Sequence, residues 1–228
     1  GLFLYNNLPG CQTEIINTEP GCGFYGSSNS SSKGINLSIM KNPVIINNVE
    51  FQNLKYGVYK HSIPYALDTI SESRFLNCNI GIDLFGNENG TSIENCSFDN
   101  TQPGKLGTGI QLVASVPSIS TSNFQNLSRG VYTESTLKIG IERSGITESN
   151  FYNCKMGIES RSANHTLKAN YFNRNNAGIV NHAGSNLNLS YDANNVFMNR
   201  NDNIVFYDTM PYESTVQLFT GHNDFYHL

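Results

Sequence analysis

The chain has 228 residues, a net charge of −4 and a pI near 5.7, with charged side chains at 14% of positions against about 25% in ordinary globular domains. That balance offers no basic footprint for nucleic acid, and no apolar run approaches the ~18 residues of a membrane span. Asn, Ser, Thr and Gly replace the missing charge, and these are the residues that satisfy or tolerate tight turns.

The chain opens Gly1-Leu2-Phe3-Leu4-Tyr5, with neither the basic start nor the length of a signal peptide. The absence of an initial Met reads as a processed or recombinant fragment of a longer protein. Cys11 and Cys22 sit in glycine-flanked turns and could pair in an oxidising compartment. Residues 1–33 are expected as an irregular, capping N-terminal region, and 34–228 as one repetitive domain.

The repeat begins with Gly34-Ile35-Asn36-Leu37 and is anchored by phenylalanines at 51, 75, 98, 124, 151, 172 and 197, spaced by 24, 23, 26, 27, 21 and 25 residues. Six residues after them (+6) stand Gly57, Gly81, Gly130, Gly157, Gly178 and Asn203, while the coil of Phe98 delays its glycine to Gly109 through an insertion at Thr101–Thr108. The next residue is always β-branched: Val58, Ile82, Ile110, Val131, Ile158, Ile179 or Ile204. Five residues before the phenylalanine (−5) lie Ile46, Ile70, Ile93, Ile119, Ile146 and Leu167. Two residues after it (+2) lie Asn53, Asn77, Asn100, Asn126, Asn153 and Asn199, interrupted only by Arg174. Asn223-Asp224-Phe225 reads as a last, degraded copy, making about eight coils.

Runs of three to five alternating residues between Asn, Gly and Ser turns carry the strand period, not the helical one. Such runs cannot bury a face alone, so each coil must stack on its neighbours. Parallel ladders ~4.8 Å apart would then superpose the columns, placing Ile, Phe and Ile/Val stacks inside. The Asn column is expected buried at one corner, with its amides bonded to backbone or to each other. The glycine at +6 is expected to supply positive φ at another corner. The fold class is therefore all-β, a right-handed single-stranded parallel β-helix.

The unit Ile-x-x-(Ser/Cys)-x-Phe-x-Asn-x-x-x-Gly-Ile, as in Ile93 to Asn100 and Phe75 to Ile82, resembles the pectate-lyase-like β-helix superfamily over roughly residues 34 to 206. The Asn-rich, charge-poor version is similar to the long repeat proteins that Bacteroidota export to their surface. The resemblance implies the fold and a secreted or cell-surface location. It implies no single activity, since the superfamily holds lyases, hydrolases, epimerases, tailspikes, adhesins and spacers.

Cys78 and Cys154 share the +3 position with Leu54 and Leu127, and Cys96 shares −2 with Ser73, Ser122 and Ser149; all three read as small buried residues. There is no Cys-x-x-Cys pair, and His61, His165, His182, His222 and His227 lack metal-ligand spacing. The loop Gly86–Gly90 carries one carboxylate, Glu88, against the several of a calcium loop. Neither a metal nor a cofactor is expected, and no phosphate-binding or nucleophile-elbow motif appears.

Chemistry would sit on the outward strip. The +8 column holds Tyr59, Asp83, Gln111, Tyr132, Glu159, Val180 and Val205, and +10 holds His61, Phe85, Val113, Glu134, Arg161, His182 and Tyr207. Aromatic faces mixed with amides and carboxylates suit sugars, so Tyr59, Asp83, Gln111, Tyr132, Glu159 and Arg161 are the expected ligand-binding residues. The bland alternative is an ordinary solvated sheet face. Glu134 and Glu159 should stand in adjacent coils with Cα atoms about 8 Å apart. Carboxylates ~6.5–9.5 Å apart suit an inverting glycosidase, with Arg161 and His182 available to bind a uronate or relay a proton. A surface ion-pair network of Arg161 with both glutamates accounts for Glu134, Glu159 and Arg161 equally well. The reading favoured here is a non-catalytic structural or adhesive module, binding polysaccharide or host and cell-surface glycan. Its further partners would be other domains of the same polypeptide or surface export machinery. The alternative is a polysaccharide hydrolase or lyase using Glu134, Glu159, Arg161 and His182.

Overall fold

The computed structural model describes residues 1–5, 12–18, 22–27, 31–38, 42–61, 68–86, 91–102, 107–115, 117–134, 144–182, 185–189, 194–207, 215–218 and 223–227. Cys11, Glu88 and His222 lie outside the described residues. The described strands form three parallel sheets of nine, each strand pairing with its counterpart one coil away. The chain is a parallel β-helix. One sheet carries the −5 isoleucines, a second the phenylalanines, and the third is built from six-residue strands such as Arg129–Glu134 and Met156–Arg161.

The columns superpose as the sequence spacing requires. Phe98 pairs with Phe124, Ile93 with Ile119 and Ile110 with Val131, and all six side chains are at most 1% exposed. From Phe51 to Phe197 the rings stack with centroids 4.7–4.9 Å apart and planes within 6° of parallel. Parallel stacking at this centroid distance is among the arrangements aromatic pairs favour, and the ladder spacing imposes it on every ring.

Four expectations need correction. The stack has nine rings rather than about eight, because Phe24 lies against Phe51 and Phe225 against Phe197. The segment expected to be irregular contributes strands Leu2–Tyr5, Thr13–Ile16 and Gly23–Tyr25, which pair with the next coil. A serine-rich stretch between Phe24 and Gly34 hides that coil from a fixed-period search.

The +6 glycines also differ from expectation. They lie within the six-residue strands, and none of them has positive φ; Gly86 is the glycine that does among the described residues. Their missing side chain makes room for the next ring: a Cβ on Gly130 would lie 2.6 Å from Cδ1 of Phe151 and 2.5 Å from the carbonyl oxygen of Gly157. The same conflict recurs for Gly34, Gly57, Gly81, Gly109 and Gly157. Phenylalanine and glycine thus repeat together because the ring of one coil packs on the bare Cα of the coil before.

The asparagine column splits in two. Asn53, Asn77, Asn126 and Asn153 adopt left-handed φ of 53–57°, a conformation asparagine tolerates. Asn126 and Asn153 are half-buried rather than buried, and their amides run along the stack, Asn153 Nδ2 to Asn126 Oδ1 at 2.7 Å and Asn126 Nδ2 to Asp99 Oδ1 at 2.9 Å. Asn199 instead turns inward and continues the Leu127, Cys154, Asn175 corner: Asn175 donates from its Nδ2 to Asn199 Oδ1 at 2.9 Å. Asn100 is likewise buried and outside the left-handed set.

A second polar ladder occupies −2. The backbone N–H of Cys96 donates to Ser122 Oγ, that of Ser122 to Ser149 Oγ, that of Ser149 to Asn170 Oδ1, and that of Asn170 to Asn195 Oδ1, at 3.0–3.2 Å. The corner amides have left the strand ladder, and a buried N–H without an acceptor costs ~1–3 kcal/mol. A short polar side chain from the coil above supplies the acceptor. The interior also holds a buried ion pair of Lys60 with Asp68, whose second oxygen accepts the Val44 N–H at 3.0 Å.

Gly130→Ala should destabilise by roughly 1–3 kcal/mol in urea unfolding, as overpacking does. Gly145→Ala is its control. A Cβ there meets nothing within 4 Å, so stability should hold or rise by a few tenths of a kcal/mol.

Candidate functional site

The outward strip lies on the long-strand sheet. Its register runs Tyr59–Asp83–Gln111–Tyr132–Glu159–Val180 along +8 and His61–Phe85–Val113–Glu134–Arg161 along +10. Tyr132 is directly opposite Glu159, and Glu134 opposite Arg161, so Glu134 and Glu159 are diagonal neighbours as expected.

The expected exposure is not uniform. Asp83, Tyr132 and Glu159 are 4%, 8% and 3% exposed, and Tyr59 and Gln111 are half-buried. The exposed column is +10, where Phe85, His61, Glu134 and Arg161 stand in solvent. The +8 residues form a floor because side chains from both flanks fold over them. Arg129 sits over the Tyr132 ring at 4.6 Å, Arg161 at 5.9 Å, and Lys33 over Tyr59 at 3.2 Å. Arg129, Lys33 and Tyr56 occupy the +5 column, which is not among the columns read from the sequence. The long side chains at +5 were the available signal.

The strip has two halves. In the aromatic half, the Tyr59 and His61 rings stack at 4.0 Å, His61 and Phe85 at 5.0 Å, and Tyr56 meets Tyr59 edge-on at 5.0 Å. His61 lies between Tyr59 Oη at 3.1 Å and Asp83 Oδ2 at 3.4 Å. Burial pushes the Asp83 carboxyl up, opposed by His61, Lys33 and Gln111.

The charged half centres on Glu159. Its Oε2 meets Arg129 Nε at 2.5 Å, and its Oε1 meets Arg161 Nη2 and His182 Nε2, both at 3.1 Å. Beside it, Tyr132 donates its hydroxyl to Glu134 Oε2 at 2.7 Å. Burial first, and then that bond, push the Tyr132 hydroxyl up to about 12. Oε1 takes the hydrogen bonds, while the Arg129–Oε2 contact is an ion pair without hydrogen-bond geometry; a buried carboxylate among these cations is an ion-pair hub.

The thiols lie elsewhere. Cys78, Cys96 and Cys154 are buried, and Cys22 is exposed. Burial pushes the Cys96 and Cys154 thiols up to about 12, so neither is a thiolate at neutral pH. Among the described residues no three His, Cys, Asp or Glu side chains converge to hold a metal, and no helix is long and apolar enough to cross a membrane. Comparison with known proteins returns no matching family model and no similar curated protein.

Glu159→Gln should destabilise the fold, because its amide turns a donor toward one of the guanidiniums. The expected loss in urea unfolding is about 1–2 kcal/mol. It falls short of the roughly 3–5 kcal/mol for breaking a buried pair, since the Arg129 and Arg161 side chains are 33% and 47% exposed and solvent screens them. Glu134→Gln, on an exposed residue, should cost under about 0.5 kcal/mol.

Proposed function

We propose that the chain is a non-catalytic β-helix module of a secreted or cell-surface protein, which binds glycan along the outward face of its long-strand sheet. The observation that carries this reading is the pairing of an exposed ring with fixed polar groups on one rigid face. Phe85 is 47% exposed beside the stacked His61 and Tyr59, and Glu134 and Arg161 project from the same column. Sugar C–H faces stack on such rings, while hydroxyls bond to carboxylate and guanidinium. The pectate-lyase-like resemblance, and the likeness to surface repeat proteins of Bacteroidota, are consistent with this location. Partners would then be polysaccharide or cell-surface glycan, other domains of the same polypeptide and surface export machinery.

The engagement of Glu159 favours binding over catalysis. A general acid or base must meet the reacting proton at hydrogen-bond distance, and Glu159 is 3% exposed, with Oε1 bonded to Arg161 and His182 and Oε2 lying against Arg129.

A glycan array read together with a reducing-sugar assay on the same panel tests the proposal. The wild type should retain at least one glycan and release no reducing ends. Phe85→Ala and Arg161→Ala should each weaken binding about fivefold or more, as loss of ~1 kcal/mol of stacking or hydrogen bonding implies. Turnover abolished by Glu159→Gln would establish the hydrolase alternative built on Glu134, Glu159, Arg161 and His182. Failure to bind any glycan would leave a spacer, a stiff rod of coils at ~4.8 Å rise.

A further inference from the structure

The interior changes character part-way up the solenoid. At +9, on the inner side of the long-strand sheet, Leu84 and Leu112 are at most 1% exposed. In the next three coils the same column becomes Thr133, Ser160 and Asn181, each 0% exposed. Facing them across the interior are His165 at 1% and Ser185 at 0%.

These five side chains only partly satisfy one another. Thr133 Oγ1 lies 2.9 Å from His165 Nε2, Ser160 Oγ donates to Ser185 Oγ at 3.2 Å, and Ser185 Oγ accepts the Ala163 N–H at 3.4 Å. His165 Nδ1 and both amide atoms of Asn181 have no protein partner. Either tautomer leaves this demand standing. If Thr133 donates to Nε2, Nδ1 carries a proton with no acceptor; if Nε2 donates to Thr133, Nδ1 is an acceptor with no donor.

Serine and threonine are also shorter than the leucines of the coils before them, and this stretch of the interior is polar. An apolar cavity stays dry, whereas a polar one with two to four partners holds water. We propose that the interior of these coils encloses a water-binding site bounded by Thr133, Ser160, Asn181, His165 and Ser185. The bound species is neutral, because the cluster holds no carboxylate, lysine or arginine to balance an ion. The only titratable member, His165, is itself held neutral: burial lowers it to about 4. The bound water bridges the Asn181 amide to His165 Nδ1 or to the serine hydroxyls. It lies on the opposite side of the sheet from the proposed glycan face and stands or falls independently of it.

A crystal structure of the wild-type protein at a resolution that shows ordered solvent tests the site. At least one water should lie ~2.7–3.2 Å from an Asn181 amide atom, with a second contact to His165 or a serine hydroxyl. Magnetic relaxation dispersion should count long-residence waters in solution, and Asn181→Leu should lower that count by at least one. Density without solvent at this position overturns the proposal. So does an Asn181 amide rotated onto protein partners, or a water count that Asn181→Leu leaves unchanged.

Discussion

In-register parallel stacking is the constraint from which the rest of this structure follows. Coils ~4.8 Å apart give every side chain its own column-mates above and below. A residue type that tolerates its own copy at that distance repeats, and one that does not must alternate or pair. Phenylalanine tolerates it as a flat stack, with seven consecutive rings from Phe51 to Phe197 at 4.7–4.9 Å. Serine and asparagine tolerate it because each can accept from the coil below while offering its own N–H to the coil above. Charge does not, and the buried Lys60 occurs only with Asp68 beside it.

The same constraint joins core to surface. The Phe stack needs bare Cα atoms at Gly57, Gly81, Gly109, Gly130 and Gly157. Beside glycines of this column, at +5, Lys33 and Arg129 reach along the outward face to Tyr59, Tyr132 and Glu159. The +8 floor is buried in part by these +5 side chains, which lie over the Tyr59 and Tyr132 rings. The proposed binding face is a rim of +10 side chains held over a floor of fixed polar and aromatic groups, on strands too rigidly laddered to rearrange.

Much of the fold was legible because its determinants are columnar. Phe, Ile/Val and Ile positions could be aligned by eye, and their burial follows from alternation alone. The functions of Gly and Asn were harder to read, because both residue types serve turns and packing alike. A glycine at fixed spacing is compatible with positive φ or with a ring overhead; only the position of the Phe ring one coil up distinguishes them. Asn100 and Asn199 share a sequence offset with Asn126 but lie at the inner corner. The first coil was masked by the polar stretch before Gly34. At the candidate site the columns Tyr59–Asp83–Gln111–Tyr132–Glu159 and Glu134–Arg161 were recoverable from spacing. The part played by Arg129 was not, since it depends on a side chain crossing from one coil to the next.

Native-state hydrogen exchange at the −2 corners tests the stacking account most directly. The amides of Cys96, Ser122, Ser149 and Asn170 lie outside the strands, yet each donates to a side chain in the adjoining coil. They should exchange as slowly as the neighbouring strand amides of Phe98, Phe124, Phe151 and Phe172, opening only with the cooperative unit that contains them. Exchange at the rate of an open turn, while the phenylalanine amides stay protected, would contradict the claim that side chains of adjoining coils complete the corners.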